Sequence, residues 1–186
     1  MYTDAELMVE KKLKAKTAAL ISEFTALTEH LTPSTNVLDL ACGTGHNGKW
    51  FLEHGCQVTF LDRDLSKLEL QHVSDKAKLL EWDLETNNSP TLSANSYDVV
   101  VVFNYLHRPL FSQIIDAIKP GGLIIYETFT HQQASIGRPR NPNFLLTDAE
   151  LKALFANWRC LHYSEGLLGE SSNASYKAQI IAQKPL

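Results

Sequence analysis

Positive charge is in deficit in this chain: 17 Lys and Arg stand against 21 Asp and Glu, a formal charge of −4 over 186 residues. Without a basic surplus there is no electrostatic reason to expect a nucleic-acid partner. Cysteine is scarce too. Cys42, Cys56 and Cys160 form neither a paired spacing nor a metal pattern, so no disulfide framework is expected and a reduced, cytoplasmic protein is. His30, His54, His72 and His162 are scattered, which leaves no metal site to assign. No apolar run is long enough to span a bilayer, and the start Met1-Tyr2-Thr3-Asp4-Ala5-Glu6 lacks the apolar stretch of a signal peptide. Repeats, low-complexity tracts and linkers are also missing. With 44% hydrophobic residues the chain can bury one sizeable core, and a single domain over 1–186 is expected. Nothing in the sequence speaks to oligomeric state.

What the chain does have is the run Val37-Leu38-Asp39-Leu40-Ala41-Cys42-Gly43-Thr44-Gly45-His46-Asn47-Gly48, an apolar strand entering a glycine turn that opens a helix. Glycine lacks Cβ, so a chain turning at Gly43 and Gly45 can take positive φ and let a ligand approach the backbone. The helix that follows offers unpaired N–H groups to something anionic. The G-x-G-x-x-G pattern from Gly43 to Gly48 fits a nucleotide cradle of several kinds, NAD and FAD included. Asp39 is the discriminating residue. A dinucleotide fold usually has only apolar residues there, whereas this acid can accept from the turn's amides, accept from a cofactor's ammonium group, or simply brace the turn.

Around this cradle, strand and helix signals alternate, the pattern of a parallel sheet covered by helices. A helix over about 4–31 opens the chain, with Thr3 and Glu6 at capping-box spacing and Leu13, Leu20, Phe24, Leu27 and Leu31 at helical intervals until Pro33. Its lysines Lys11, Lys12, Lys14 and Lys16 read as a solvated face or as a reach toward a ligand carboxylate. His54-Gly55 ends the cradle helix. Strands are expected at Gln57 to Leu61, Lys78 to Leu80, Asp98 to Phe103 and Leu123 to Thr128, with a short helix from Asp64 or Ser66 to about His72. A further helix carries Ile114, Ile115 and Ile118 and ends at Pro120-Gly121-Gly122. The segment Phe129 to Leu146 has little periodicity, and loops of that length are more often functional than idle. Thr147 and Glu150 again have capping-box spacing, before a helix Asp148 to Phe155. Strands near Trp158 to Glu165 and Tyr176 to Gln183 are close enough for an antiparallel hairpin.

Several of these segments carry a resemblance. Asp39-Leu40-Ala41-Cys42-Gly43-Thr44-Gly45 resembles the first motif of class I S-adenosylmethionine-dependent methyltransferases, with Ala41 in place of the commonest first glycine. Val58 to Asp62, Glu81-Trp82-Asp83-Leu84, Tyr97-Asp98-Val99-Val100 and Lys119-Pro120-Gly121-Gly122 follow in the family's order. More narrowly, Asn104-Tyr105-Leu106-His107-Arg108-Pro109, Glu127-Thr128-Phe129 and Asn141 to Leu146 resemble a bacterial branch grouped with tellurite-resistance methyltransferases. The resemblance implies a Rossmann-like, doubly wound α/β fold: a seven-stranded, mostly parallel sheet with an antiparallel C-terminal hairpin strand and helices on both faces. It implies S-adenosylmethionine as cofactor and the N-terminal helix as its cover. Asp62, closing the second strand, is placed to accept both ribose hydroxyls. Arg63 can pack its stem on the adenine face or stand exposed. By resemblance Asp83 accepts from the adenine amino group while the Leu84 amide donates to the ring. Asn47 can cap amides or touch the methionine end, His46 is expected to face solvent, and Cys42 is a small packing residue of the cradle. Ala41, Gly43, Gly45 and Asn104 complete the cofactor set.

The fourth strand leads directly into Asn104-Tyr105-Leu106-His107-Arg108-Pro109. Methyl transfer needs chiefly orientation and desolvation, and a general base helps only when the nucleophile arrives protonated. His107 is the candidate base, Tyr105 a wall or hydrogen-bond donor, and Arg108 a handle for an anionic substrate; equally, His107 and Arg108 can cap the next helix or brace the loop. Glu127, His131, Arg138 and Arg140 are candidates for a substrate rim. The leading expectation is methyl transfer to a small molecule such as a chalcogen oxyanion, a thiol or a metabolite. An RNA or protein methyltransferase is the alternative, and a nicotinamide-dependent oxidoreductase or non-catalytic cofactor binder the second.

Overall fold

The structure, a computed structural model, describes residues 18–22, 31–68, 70, 74–86, 88–169 and 174–186. Internal contacts divide the chain into two units that meet in sequence at Trp82 and Asp83.

In the first unit the strands β1 (Asn36–Leu40), β2 (Gln57–Asp62) and β3 (Ala77–Glu81) are parallel, in the order β3-β2-β1. Parallel neighbours need a crossover, and the helix α2 (His46–Glu53) supplies it between β1 and β2. Val37, Leu38, Leu40, Phe60 and Leu61 are buried almost completely, which explains why these strands read as continuous apolar runs. A short helix α1 (Ala19–Ser22) buries Leu20 and Ile21. The rest of the N-terminal helix expected over 4–31, with Thr3, Glu6, the four lysines and His30, lies outside the described residues. The helix expected from Asp64 is a single 3-10 turn, Leu65–Lys67, capped by the Asp64 carboxylate on the Ser66 amide. It stops because Leu68 turns extended, and the Leu68 side chain then lies against Gly45. His72 falls outside the described residues.

The second unit holds β4 (Tyr97–Phe103), α3 (Phe111–Ala117), β5 (Ile118–Phe129), α4 (Glu150–Leu154), β6 (Arg159–Leu168) and β7 (Ser175–Gln183). β4 and β5 are parallel, β5 pairs antiparallel with β7, and β7 with β6. Seven strands, mostly parallel with antiparallel partners at the C-terminus, and helices around them make up the Rossmann-like class expected. Two helices differ from expectation in their bounds. Ile118, read as helical, begins β5, because Pro120 disfavours helical backbone at the residue before it and Ile118 is already extended, at φ −80° and ψ 130°. The helix after Thr147 starts at Glu150 rather than Asp148, since Ala149 takes a left-handed conformation. Half of the capping box forms there: the Glu150 carboxylate accepts from the Thr147 amide at 2.8 Å, and the Thr147 hydroxyl donates to the same oxygen. Among the described residues no helix is long and apolar enough to cross a membrane.

Candidate active site

In the first unit β1 ends at Leu40, and Ala41, Gly43 and Gly45 all take positive φ, 55°, 53° and 75°, before α2 begins. For Ala41 that conformation costs roughly 1–2 kcal/mol, which glycine would not pay. A Cβ on Gly43 would meet nothing within 4 Å, so the backbone is open there, whereas one on Gly45 would run into the Leu68 side chain. Gly48 is the opposite case. A Cβ there would lie 2.5 Å from the Phe60 ring and 2.8 Å from Asp39 Oδ2, so the helix can approach the sheet only at a glycine. Gly48→Ala is expected to cost about 1–3 kcal/mol in urea unfolding, the usual penalty for overpacking.

The two acids of the cradle are held by its own amides. The Gly43 amide donates to Asp62 Oδ2 at 2.8 Å, and the Asp64 amide to Asp62 Oδ1 at 3.1 Å. Each carboxylate oxygen keeps a lone pair for a further donor. The Gly48 amide donates to Asp39 Oδ2 at 2.8 Å. Asp39 is 2% exposed, and loss of hydration pushes its carboxyl from 3.8 up to about 7; the Gly48 hydrogen bond opposes this and the nearby Asp62 charge adds to it. Burial, with Asp39 and Asp62 close by, likewise raises the Cys42 thiol, as suits a packing residue rather than a nucleophile. Asn47 Oδ1 accepts from the Ala18 amide at 3.0 Å, tying α2 to the start of α1. Arg63 is exposed, and His46, expected to face solvent, is half-buried.

In the second unit Asp83 is exposed, and its carboxylate accepts from the Glu85 amide; Leu84 is buried. Asn104 follows β4 with φ +54°, and its amide donates to the Glu127 carbonyl. Tyr105 and His107 are half-buried, and the His107 carbonyl accepts from the Leu110 amide. Arg108, read from the sequence as a substrate handle or a loop brace, has its guanidinium engaged on three sides. Nε and one Nη donate to the two oxygens of Glu150 at 2.7 and 2.8 Å, and the Nη groups donate to the Leu145 and Asn143 carbonyls. Those contacts raise the Arg108 pKa. Glu150 is held below the usual carboxylate range: burial acts against this, and hydrogen bonds from Arg108 and Thr147 outweigh it. Glu127 is committed as well, accepting from Lys177 and Gln179, both at 2.6 Å. His131 pairs with Asp148 at 3.5 Å, Arg138 is exposed, and Arg140 donates to the Gly137 carbonyl.

The same unit contains a cavity of about 310 Å³. Tyr105, Leu106, Phe129, Pro139 and Phe144 wall it, and Asn104 and Glu85 are its polar members. The sequence points to Asn104 and Tyr105 as site residues, and not to Phe129, Phe144 or Glu85. Two rings flanking a loop too long to be idle were the available signal. Among the described residues no group of His, Cys, Asp and Glu is gathered to hold a metal ion.

A model of the methyltransferase domain matches residues 9–177, and the chain belongs to that family. Its fold is that of S-adenosylmethionine-dependent methyltransferases. A putative S-adenosylmethionine-dependent methyltransferase from Listeria monocytogenes is 16% identical, with 88% of this chain and 98% of that one covered at a TM-score of 0.66. The 1,6-didemethyltoxoflavin-N1-methyltransferase of Burkholderia thailandensis, solved with its substrate and S-adenosylhomocysteine, is 17% identical over 96% and 84% at 0.63. TehB from Haemophilus influenzae is 20% identical over 87% and 61% at 0.62. No curated protein matches the chain.

Proposed function

We propose that this protein is an S-adenosylmethionine-dependent enzyme that methylates a small molecule. The observation that carries the reading is the glycine turn: backbone open at Gly43, one acid tied to the Gly43 amide and a second acid buried at the turn's base. That set fits the cofactor. Asp62 accepts from the ribose hydroxyls with the lone pairs its amide bonds leave over, and Asp39 faces the ammonium group. Asp83 and the Leu84 amide keep the adenine contacts that the family resemblance gives them. When bound, the cofactor supplies an electrophilic methyl group on a sulfonium. Tyr105 and Asn104 line the acceptor cavity, and His107 takes a proton if the acceptor arrives with one. A cytoplasmic setting is supported by three cysteines that remain free thiols.

Calorimetry with S-adenosylmethionine, S-adenosylhomocysteine and NAD tests the cofactor. The first two are expected to bind and NAD is not; tight NAD binding with no response to the sulfonium compound would reverse the assignment. Asp62→Ala is expected to weaken cofactor binding by about 1–3 kcal/mol, the cost of stranding its hydrogen-bond partners. Unchanged affinity in a folded variant removes Asp62 from the site. Labelled cofactor offered with tellurite, selenite, small thiols, heterocycles and bulk RNA then reads the acceptor class. Labelling of RNA alone would favour the macromolecular alternative.

A further inference from the structure

The acceptor cavity and the cations around it are at odds with an oxyanion. Its lining includes the aromatic residues Tyr105, Phe129 and Phe144, and its one charged member is Glu85. Among the described residues, the cations that could have made it an anion site are occupied or outside it. Arg108 is held by Glu150 and two carbonyls, and Lys177, 5.0 Å from the Phe129 ring centre, is paired with Glu127. Arg138 and Arg140 do not line the cavity. An anion placed there would lose its hydration, gain no cation from the described residues and face a carboxylate.

Aromatic rings reward the opposite kind of guest. Their faces stack with flat π systems and attract cations, and a small cavity between them suits one compact ring system. At about 310 Å³ the space is at the lower end of ligand pockets, too small for a folded peptide or a run of nucleotides. We propose that the methyl acceptor is a planar aromatic molecule, neutral or cationic, seated among Tyr105, Phe129 and Phe144 with its electropositive edge toward Glu85. This rests on the methyltransferase reading and specifies its substrate. The acceptor's ring nitrogen or hydroxyl supplies the electron pair for the new bond to carbon, the carbon–sulfur bond breaks, and S-adenosylhomocysteine leaves as the neutral thioether. A hydroxyl's proton passes to water.

The test compares three probes of similar size in the presence of saturating S-adenosylhomocysteine: N-methylquinolinium, quinoline and naphthalene-2-carboxylate, with tellurite as a fourth. Ligand-observed NMR and calorimetry are expected to show the cation and the neutral ring bound about tenfold more tightly than the carboxylate, with no saturable tellurite binding. Phe144 is 46% exposed, so Phe144→Ala leaves the core intact; it is expected to weaken both favoured probes about tenfold. Glu85→Gln is expected to shrink the preference for the cation over the carboxylate several-fold, with quinoline unchanged. Binding of tellurite or the carboxylate more tightly than quinoline, or indifference to Phe144→Ala, overturns the proposal. S-adenosylhomocysteine binding is measured separately. Its failure with quinoline still bound overturns the cofactor reading alone, while ring failure with the thioether bound overturns the acceptor class alone.

Discussion

Arg108→Ala is expected to lower stability by about 2–4 kcal/mol, a larger effect than an exposed ion pair gives. The reason is the number of groups left without a partner. Glu150, whose side chain is 18% exposed, would keep only Thr147, and the Leu145 and Asn143 carbonyls would lose their guanidinium donors. Arg108→Lys is expected to recover less than half of the loss, because an ammonium cannot span two carboxylate oxygens and two carbonyls at once. Acid should expose the same interaction. The Glu150 carboxyl titrates below its ordinary value in the fold, so its contribution is full above the ordinary carboxylate range and disappears as pH falls through the lowered value. Wild type should therefore keep its advantage over Arg108→Ala at pH 6 and lose part of it in urea titrations run below the ordinary carboxyl value of 4.5. An unchanged unfolding midpoint, together with loss of methyl transfer, would return Arg108 to the role of substrate handle. The latch matters for the cavity too. It grips the chain at Asn143 and Leu145, on either side of Phe144, so the segment that brings Phe144 to the cavity is anchored at both neighbours.

Arg108 also shows where sequence reasoning stops. Its cation was visible, but Glu150 lies 42 residues further on, and nothing local in either segment announces the pair. Glu127 is the same case: an acid at a strand end suggests a ligand, yet Lys177 and Gln179 reach it from β7, 50 and 52 residues away. The cradle is different because its chemistry is written within one short stretch. Strand, glycine turn and helix follow each other directly, and Gly48's contact with Asp39 is set by nine residues of spacing. Boundaries were least legible where two local rules compete. Ile118 suits a helix face or a strand equally, and pairing with Tyr97 across the parallel β4–β5 ladder decides for the strand. The aromatic cavity needed the fold, because Tyr105, Phe129 and Phe144 come from three separate segments.

Asp39→Asn is expected to separate what the buried carboxylate costs the empty protein from what it gives the cofactor. In the fold its pKa lies near 7, above its ordinary 3.8, so its stabilising contribution is complete below about pH 4 and is lost as pH rises through 7. Wild type should lose about 2–3 kcal/mol from this group between pH 5 and pH 8. Asparagine keeps an acceptor for the Gly48 amide and has no charge to bury, so that loss should be missing in the variant, which becomes the more stable protein at pH 8. Binding should move in the other direction. A cofactor ammonium favours the ionised carboxylate, so association at pH 6 must expel a proton that it need not expel at pH 8. Wild-type affinity for S-adenosylhomocysteine should climb by about tenfold between pH 6 and pH 8 and then flatten. The variant should bind weakly, by about 2 kcal/mol for a lost charge-assisted contact, and with no slope over that range. Calorimetry in two buffers of different ionisation enthalpy counts the proton directly. Proton release at pH 6 from wild type and none from Asp39→Asn identifies the group, since Asp62 and the Cys42 thiol are the other ionisable neighbours and both remain in the variant. Equal affinities at both pH values, with no proton released, would mean that Asp39 only braces the turn.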